Sequence, residues 1–146
     1  MKPLLQFAVI AVLTLAGAGG TWLLKGTPKE KVFTCDPKLL KQDEICPSDV
    51  SGNVLWVDAR SRAEWKENGL NGSVLWNLDP KEDAQQFEAE VAMRVVDAGL
   101  VVVYCGSEAC GTSRQIADRI RALDLGPQVK VLHGGWEGLK DPSSKP

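Results

Sequence analysis

The sequence is short of the residues on which several large function classes depend. It holds one histidine and one tyrosine in 146 residues, and 17 Lys and Arg against 19 Asp and Glu leave a net charge of −2. Nucleic-acid binding calls for a basic face, and this charge balance offers no case for one. The four cysteines include no Cys-x2-Cys pair, and their spacings fit no usual zinc site. No metal and no cofactor is expected. Aromatic residues are few apart from five Trp, most of them beside apolar runs where core packing is their ordinary use.

What remains is the composition of a globular protein, 44% apolar and 25% charged, with room for one domain and an appendage. The appendage is N-terminal. Leu4 to Leu24 is nearly continuous apolar sequence after Lys2. Taken whole, it has about the 20 residues that span a bilayer. Alternatively, Leu4–Leu15 is the hydrophobic region of a signal peptide cleaved at Ala16-Gly17-Ala18. Residues 1–24 are therefore expected to be a signal anchor or a signal peptide. Lys25, Lys29 and Lys31 would hold the following flank in the cytoplasm by the positive-inside rule. Against that, an extreme N-terminal signal normally sends the downstream part across. Cys35 and Cys46 lie in a Pro- and Lys-containing segment at a spacing suited to a disulfide in an oxidising compartment. The expected placement is a membrane-anchored domain outside the cytoplasm, or a periplasmic or secreted one after cleavage.

Residues 25–31 read as a linker, 32–141 as the domain and 142–146 as a tail. Asp36-Pro37 predicts a short helix through Lys41, and Ile45 to Asn53 reads as connecting structure. Asn53 to Arg60 is a strand candidate, and the Ser61-x-x-Glu64 capping box opens a helix. Ser73 to Leu78 is a further strand. Asp79-Pro80 predicts a cap and a first turn for a helix burying Ala84, Phe87, Val91 and Val95. Later come a strand over Val101–Tyr104, a helix from Ser113 burying Ile116, Ala117, Ile120 and Leu123, and a strand over Val129–Leu132. Short buried strands alternating with amphipathic helices predict an α/β fold, a central parallel sheet with helices on both faces. Ligands of such sheets bind beyond the carboxyl ends of the strands, where Asp58, Asn77, Cys105 and His133 are placed.

Cys105 ends a β-branched run and precedes a loop of small residues and a helix start. Helix N-terminal amides lower a nearby thiol's pKa and can hold an anion. This arrangement makes Cys105 the candidate nucleophile, the alternative being an apolar residue at a strand end. Gly106, Ser107, Glu108, Ala109, Cys110, Gly111 and Thr112 form the candidate substrate loop, whose backbone amides would curl around the sulfur.

Four groups of residues carry a resemblance to the rhodanese (sulfurtransferase) domain from about Val54 to Leu139. They are Val57-Asp58-Ala59-Arg60 with Glu64-Trp65; Gly69-Leu70-Asn71-Gly72-Ser73-Val74; Val103-Tyr104-Cys105; and Val131-Leu132-His133-Gly134-Gly135-Trp136. The resemblance implies a cysteine that takes a sulfane sulfur from a small donor, holds it as a persulfide and passes it to cyanide or a thiol, a protein thiol among them. Many such domains have a six-residue loop beginning at the cysteine, with Ser or Thr then opening the helix. Here Ser113 lies eight positions after Cys105, which predicts a loop about two residues longer. The loop carries Glu108 where cations are common, so thiosulfate is expected to be a poor donor, and Arg114 is the nearest cation. Gly111 stands where the related dual-specificity phosphatases place Arg, which excludes their phosphate clamp.

Cys110 either packs or acts as a resolving thiol toward Cys105. Asp58 and Arg60 are expected to pair and organise the loops, and Trp136 to pack beneath the active-site loop. His133 is a general-base candidate whose place before Gly-Gly also suits a structural or rim role. Two other functions remain open: a thiol–disulfide module using Cys105 and Cys110, and a non-catalytic docking domain.

Overall fold

A computed structural model describes residues 33–107 and 111–140. The signal-anchor or signal-peptide segment, the linker, Val32, the tail, and Glu108, Ala109 and Cys110 lie outside the described residues. Among the described residues, no helix is long and apolar enough to cross a membrane.

The compact unit begins at Phe33. Its elements, in chain order, are β1 (Glu44–Ile45), β2 (Val54–Asp58), α1 (Arg62–Asn68), β3 (Val74–Leu75), α2 (Ala84–Val95), β4 (Leu100–Tyr104), α3 (Gly111–Ala122), β5 (Gln128–Leu132) and α4 (Gly135–Lys140). Two 3-10 turns, Pro37–Leu39 and Pro47–Asp49, flank β1. The five strands form one sheet in the order β1-β5-β4-β2-β3, and every neighbouring pair is parallel. The fold is α/β, as its alternating pattern requires.

Strand alternation divides the core into two layers. Val101, Val103 and Cys105 face α2 and α3, where Phe87, Val91, Val95, Ile116, Ala117 and Ile120 meet them. Val102 and Tyr104 face the other way, toward Val50, Leu132 and Leu139 of α4. Burying a side chain of this size contributes about 1.5–3 kcal/mol, so the valine-rich β4 at the centre anchors both layers. The chain passes from β2 outward to β3 and then returns to β4 on the other side of β2. The carboxyl ends of β2 and β4 therefore flank the switch point, where open parallel sheets bind ligands.

Local signals decide several helix ends. Ser61 caps α1 through a complete capping box with Glu64. The cap of α2 is Asp83, which accepts from the Gln85 and Gln86 amides, not the expected Asp79. Asp79 instead accepts from the Lys81 amide within a tight turn. Ala84, the first residue of α2, is exposed and not part of its buried face. The Asp36-Pro37 helix is a single 3-10 turn ending at Leu39. β1 forms where connecting structure was expected, because the open edge of β5 has amides to satisfy. Val131 N–H donates to Asp43 O at 2.8 Å and His133 N–H to Ile45 O at 2.9 Å.

Candidate functional site

Cys105 directly follows β4, almost buried at 6% exposure. Helix α3 begins at Gly111, so residues 105–110 alone connect strand to helix. The expectation of a loop two residues longer, opened by Ser113, is corrected: Ser113 is the third residue of α3 and is buried. Gly111 and Thr112 belong to the first turn, where backbone amides have no carbonyl a turn earlier to bond. Gly106 and Ser107 lie beside Cys105, and Glu108, Ala109 and Cys110 lie outside the described residues. Cys105 is itself present as a disulfide, so its thiolate exists only after reduction.

The turn after β5 presses against this loop. Trp136 N–H donates to the Cys105 carbonyl at 2.6 Å. Gly134 and Gly135 have φ of 76° and 57°, a conformation that glycine adopts without strain.

On the opposite layer of the same strand ends is a buried polar network. The Asp58 carboxylate is fully buried. Its Oδ2 accepts from the Tyr104 hydroxyl at 2.6 Å and from Arg60 Nη2 at 2.7 Å. Its Oδ1 accepts from the Arg60 backbone amide at 2.9 Å and Nε at 3.0 Å. Arg60 Nη1 donates to Asn68 Oδ1 at 2.8 Å. The guanidinium lies 4.2 Å from the Trp136 ring centroid, and Tyr104 and Trp136 stack at 5.9 Å. Burial opposes the Arg60 charge, but the Asp58 bonds and charge outweigh it and push its pKa upward. Burial, reinforced by the bond to Asp58, pushes the Tyr104 hydroxyl up to about 12. This network joins α1, β2, β4 and α4 beneath the cysteine loop. It holds the Asp58 and Arg60 charges without exposing them.

Arg114, the cation nearest the loop in sequence, is paired with Asp43 and Glu44. Its Nη1 donates to Asp43 Oδ1 at 2.6 Å and its Nη2 to Glu44 Oε1 at 2.6 Å. The acidic pair on the β1 edge takes both nitrogens. Burial raises the Asp43 carboxyl, but the Arg114 hydrogen bond and charge together hold it below its ordinary value. At Glu44 burial likewise opposes the charge, and the Lys41 amide, Arg114 and His133 outweigh it. His133, on the other side of that carboxylate, places Nδ1 3.3 Å from Glu44 Oε2.

Cys35 and Cys46 are joined by a disulfide. It closes residues 35–46 into a clip that carries Asp43 and Glu44. Sequence reasoning missed Asp43, Glu44, Asn68, Tyr104 and Phe33. For Glu44 no local signal existed, since its partners lie 70 and 89 residues away. Among the described residues, no group of His, Cys, Asp and Glu is arranged to hold a metal ion.

Residues 48–142 match the sequence family described as the rhodanese-like domain. No curated protein matches this chain. Among solved structures, one similar chain is the N-terminal domain of a Clostridium difficile 630 protein described as ATP/GTP binding. It is 18% identical, with a TM-score of 0.45, over 66% of this chain and 94% of that one. Another is the BH2092 protein from Bacillus halodurans, 22% identical, with a TM-score of 0.43, over 58% of this chain and 56% of that one.

Proposed function

The chain belongs to the rhodanese-like family, and from that premise we propose that it is a sulfurtransferase working through Cys105. One observation carries the reading: the side chain at the carboxyl end of central strand β4 is a cysteine, six residues before the first turn of α3. Once reduced, the Cys105 thiolate attacks the sulfane sulfur of a small donor. The donor's sulfur bond breaks, and its leaving group departs with the electron pair. The persulfide's terminal sulfur then takes its hydrogen bonds from loop and helix amides. A thiolate or cyanide attacks that outer sulfur, the bond to Cys105 breaks, and the Cys105 thiolate is restored. Glu108 favours a donor other than thiosulfate.

The Cys105 disulfide favours a second reading. Cys35 and Cys46 are bonded to one another, so Cys110 is the fourth cysteine left to pair with Cys105 within the chain. A partner's dithiol would reduce that bond by exchange: one thiolate attacks, the mixed disulfide is resolved by the second, and the partner leaves oxidised.

We also propose that residues 4–24 are a membrane anchor or a cleaved signal and that the domain works outside the cytoplasm. The apolar run and the Cys35–Cys46 disulfide support that placement.

Peptide-resolved mass spectrometry after incubating the reduced chain with polysulfide tests the reading. The expected result is one added sulfur atom on Cys105, removed by cyanide or thiol and absent in Cys105→Ser. An unmodified Cys105 that re-forms its disulfide under mild oxidation overturns sulfur transfer in favour of exchange. If neither adduct nor exchange occurs, the domain is a docking module.

A further inference from the structure

Loops of this kind commonly carry a cation beside the sulfur; here the loop holds none, and Arg114 is committed to Asp43 and Glu44. A different cation is within reach. β4 and β5 run in parallel with Val103 opposite Val131. Two residues beyond each are Cys105 and His133. Side chains two apart on a strand share a face, and neighbouring strands lie about 4.8 Å apart. Continued past the paired ends, this register brings Cys105 and His133 next to one another, Cys105 on the layer that holds Val103 and Val131. The Trp136 amide on the Cys105 carbonyl fixes the chain just after His133 against the chain at Cys105.

The disulfide-closed clip grips His133 from the other side. The His133 backbone amide donates to Ile45 O at 2.9 Å, and the Phe33 ring lies 5.7 Å from the imidazole. Glu44, its side chain only 7% exposed, faces Nδ1. An ionised carboxylate can only accept, so the proton of this contact sits on Nδ1. The other charged groups around this cluster are Asp43 on the β1 side, Arg114 and Arg121 from α3, and Lys41, 4.0 Å from Glu44 Oε1.

We infer that His133, held at Nδ1 by Glu44, is the cation of the Cys105 site: a positioning residue whose imidazolium form stabilises the sulfur anion that the loop's own side chains do not. The inference rests on the reading of Cys105 as the reactive sulfur. It makes the N-terminal clip part of the site, since Cys35–Cys46 holds the strand that carries Glu44.

The single histidine makes the coupling directly measurable. In the full chain, reduced until Cys105 is free while Cys35–Cys46 remains bonded, iodoacetamide labelling of the Cys105 peptide is followed against pH. The Cys105 midpoint is expected at least about one unit below the ordinary thiol value of about 8.5. His133→Gln should raise it by about one unit, slowing labelling roughly tenfold at pH 6.5, and Glu44→Gln should shift it the same way by less. Proton NMR of the His133 ring gives the reciprocal reading: Cys105→Ser should lower its midpoint, because coupling between two sites is mutual. Coincident labelling profiles in wild type and His133→Gln overturn the inference, as does a His133 midpoint indifferent to Cys105→Ser. If His133→Gln does not fold, the NMR comparison decides alone. Coupled titrations in a chain that never takes up sulfur would remove the sulfurtransferase reading and leave this one standing. Sulfur uptake with uncoupled titrations would do the reverse.

Discussion

A methyl group on Gly135 would lie 2.5 Å from the Cys105 carbonyl oxygen and 3.2 Å from the Ser107 amide nitrogen. Both obstacles are backbone, so neither can swing aside. The φ of 57° adds strain for any side chain. Gly135→Ala is therefore expected to cost about 2 kcal/mol or more and to displace the cysteine loop, lowering sulfur loading of Cys105 with it. Gly106→Ala, with nothing within 4 Å of the added carbon, should change stability by less than about 0.5 kcal/mol. Urea unfolding of the two variants checks the contrast.

The Tyr104 hydroxyl donates to Asp58 and accepts from the Leu70 amide at 3.2 Å. Tyr104→Phe deletes both bonds and keeps the ring stack, leaving a buried carboxylate oxygen one donor short. The expected loss is about 1–3 kcal/mol. The neutral phenol is the form the fold favours, with its pKa raised from 10.0 to about 12. Its contribution is complete below pH 10 and is lost as pH rises toward 12. Wild type should show an alkaline decline in stability across that window, and Tyr104→Phe a shallower one.

Asp58 and Arg60 form a pair with side-chain exposures of 0% and 3%. Removing either partner leaves the other charge buried, at a cost of about 3–5 kcal/mol. Arg60→Met should therefore unfold at much lower urea, and Asp58→Asn with Arg60→Met together should be less damaging than the sum of the two. A double-mutant cycle in urea gives the coupling; additive losses would show that the pair does not act as a unit.

What was legible beforehand follows from how far apart the interacting residues are. The runs that became β2 and β4 show strand character, and Ser61 with Glu64 identifies a helix start from three residues' separation. Asp79 and Asp83 satisfy the same local capping rule, and only the packing of Phe87, Val91 and Val95 on the sheet selects the second. Ser113 is a good cap by composition, yet α3 begins two residues earlier. β1 has two residues and no pattern of its own; the exposed edge of β5 creates it. Glu44 was invisible for the same reason, since tertiary structure alone brings it to His133 and Arg114. The place of Cys105 was legible because the β-branched run before it marks the end of β4.

Asp43 and Glu44 lie below their ordinary values of 3.8 and 4.5. Groups depressed by folding add stability above the unfolded pKa and lose it as pH falls through the folded one. Wild type should thus weaken below about pH 4.5. Arg114→Met, which removes the partner of both carboxylates, should flatten that acid limb. Because Arg114 is about a third exposed, its loss at neutral pH should be only about 1 kcal/mol. Urea midpoints measured at pH 7 and pH 3.5 in both proteins separate the pH effect from the packing effect.

The Cys35–Cys46 bond spans 11 positions and closes a segment whose own apolar burial is slight apart from Cys46. A ring of that size restricts the unfolded chain by about 3 kcal/mol. Cys35 is half-buried and Cys46 is 1% exposed, so replacing both by Ala keeps a hydroxyl out of the core. The double variant should lose about 2–3 kcal/mol, and, with Cys105 reduced in both proteins, breaking Cys35–Cys46 in wild type should bring it down to the same level. The clip also carries Glu44, and Phe33, two residues before Cys35, lies against the imidazole. Its release should therefore lower the NMR titration midpoint of His133 toward that of Glu44→Gln. A loss of stability with an unmoved His133 midpoint would mean that the disulfide supports the fold alone and that β1 keeps Glu44 in place without it.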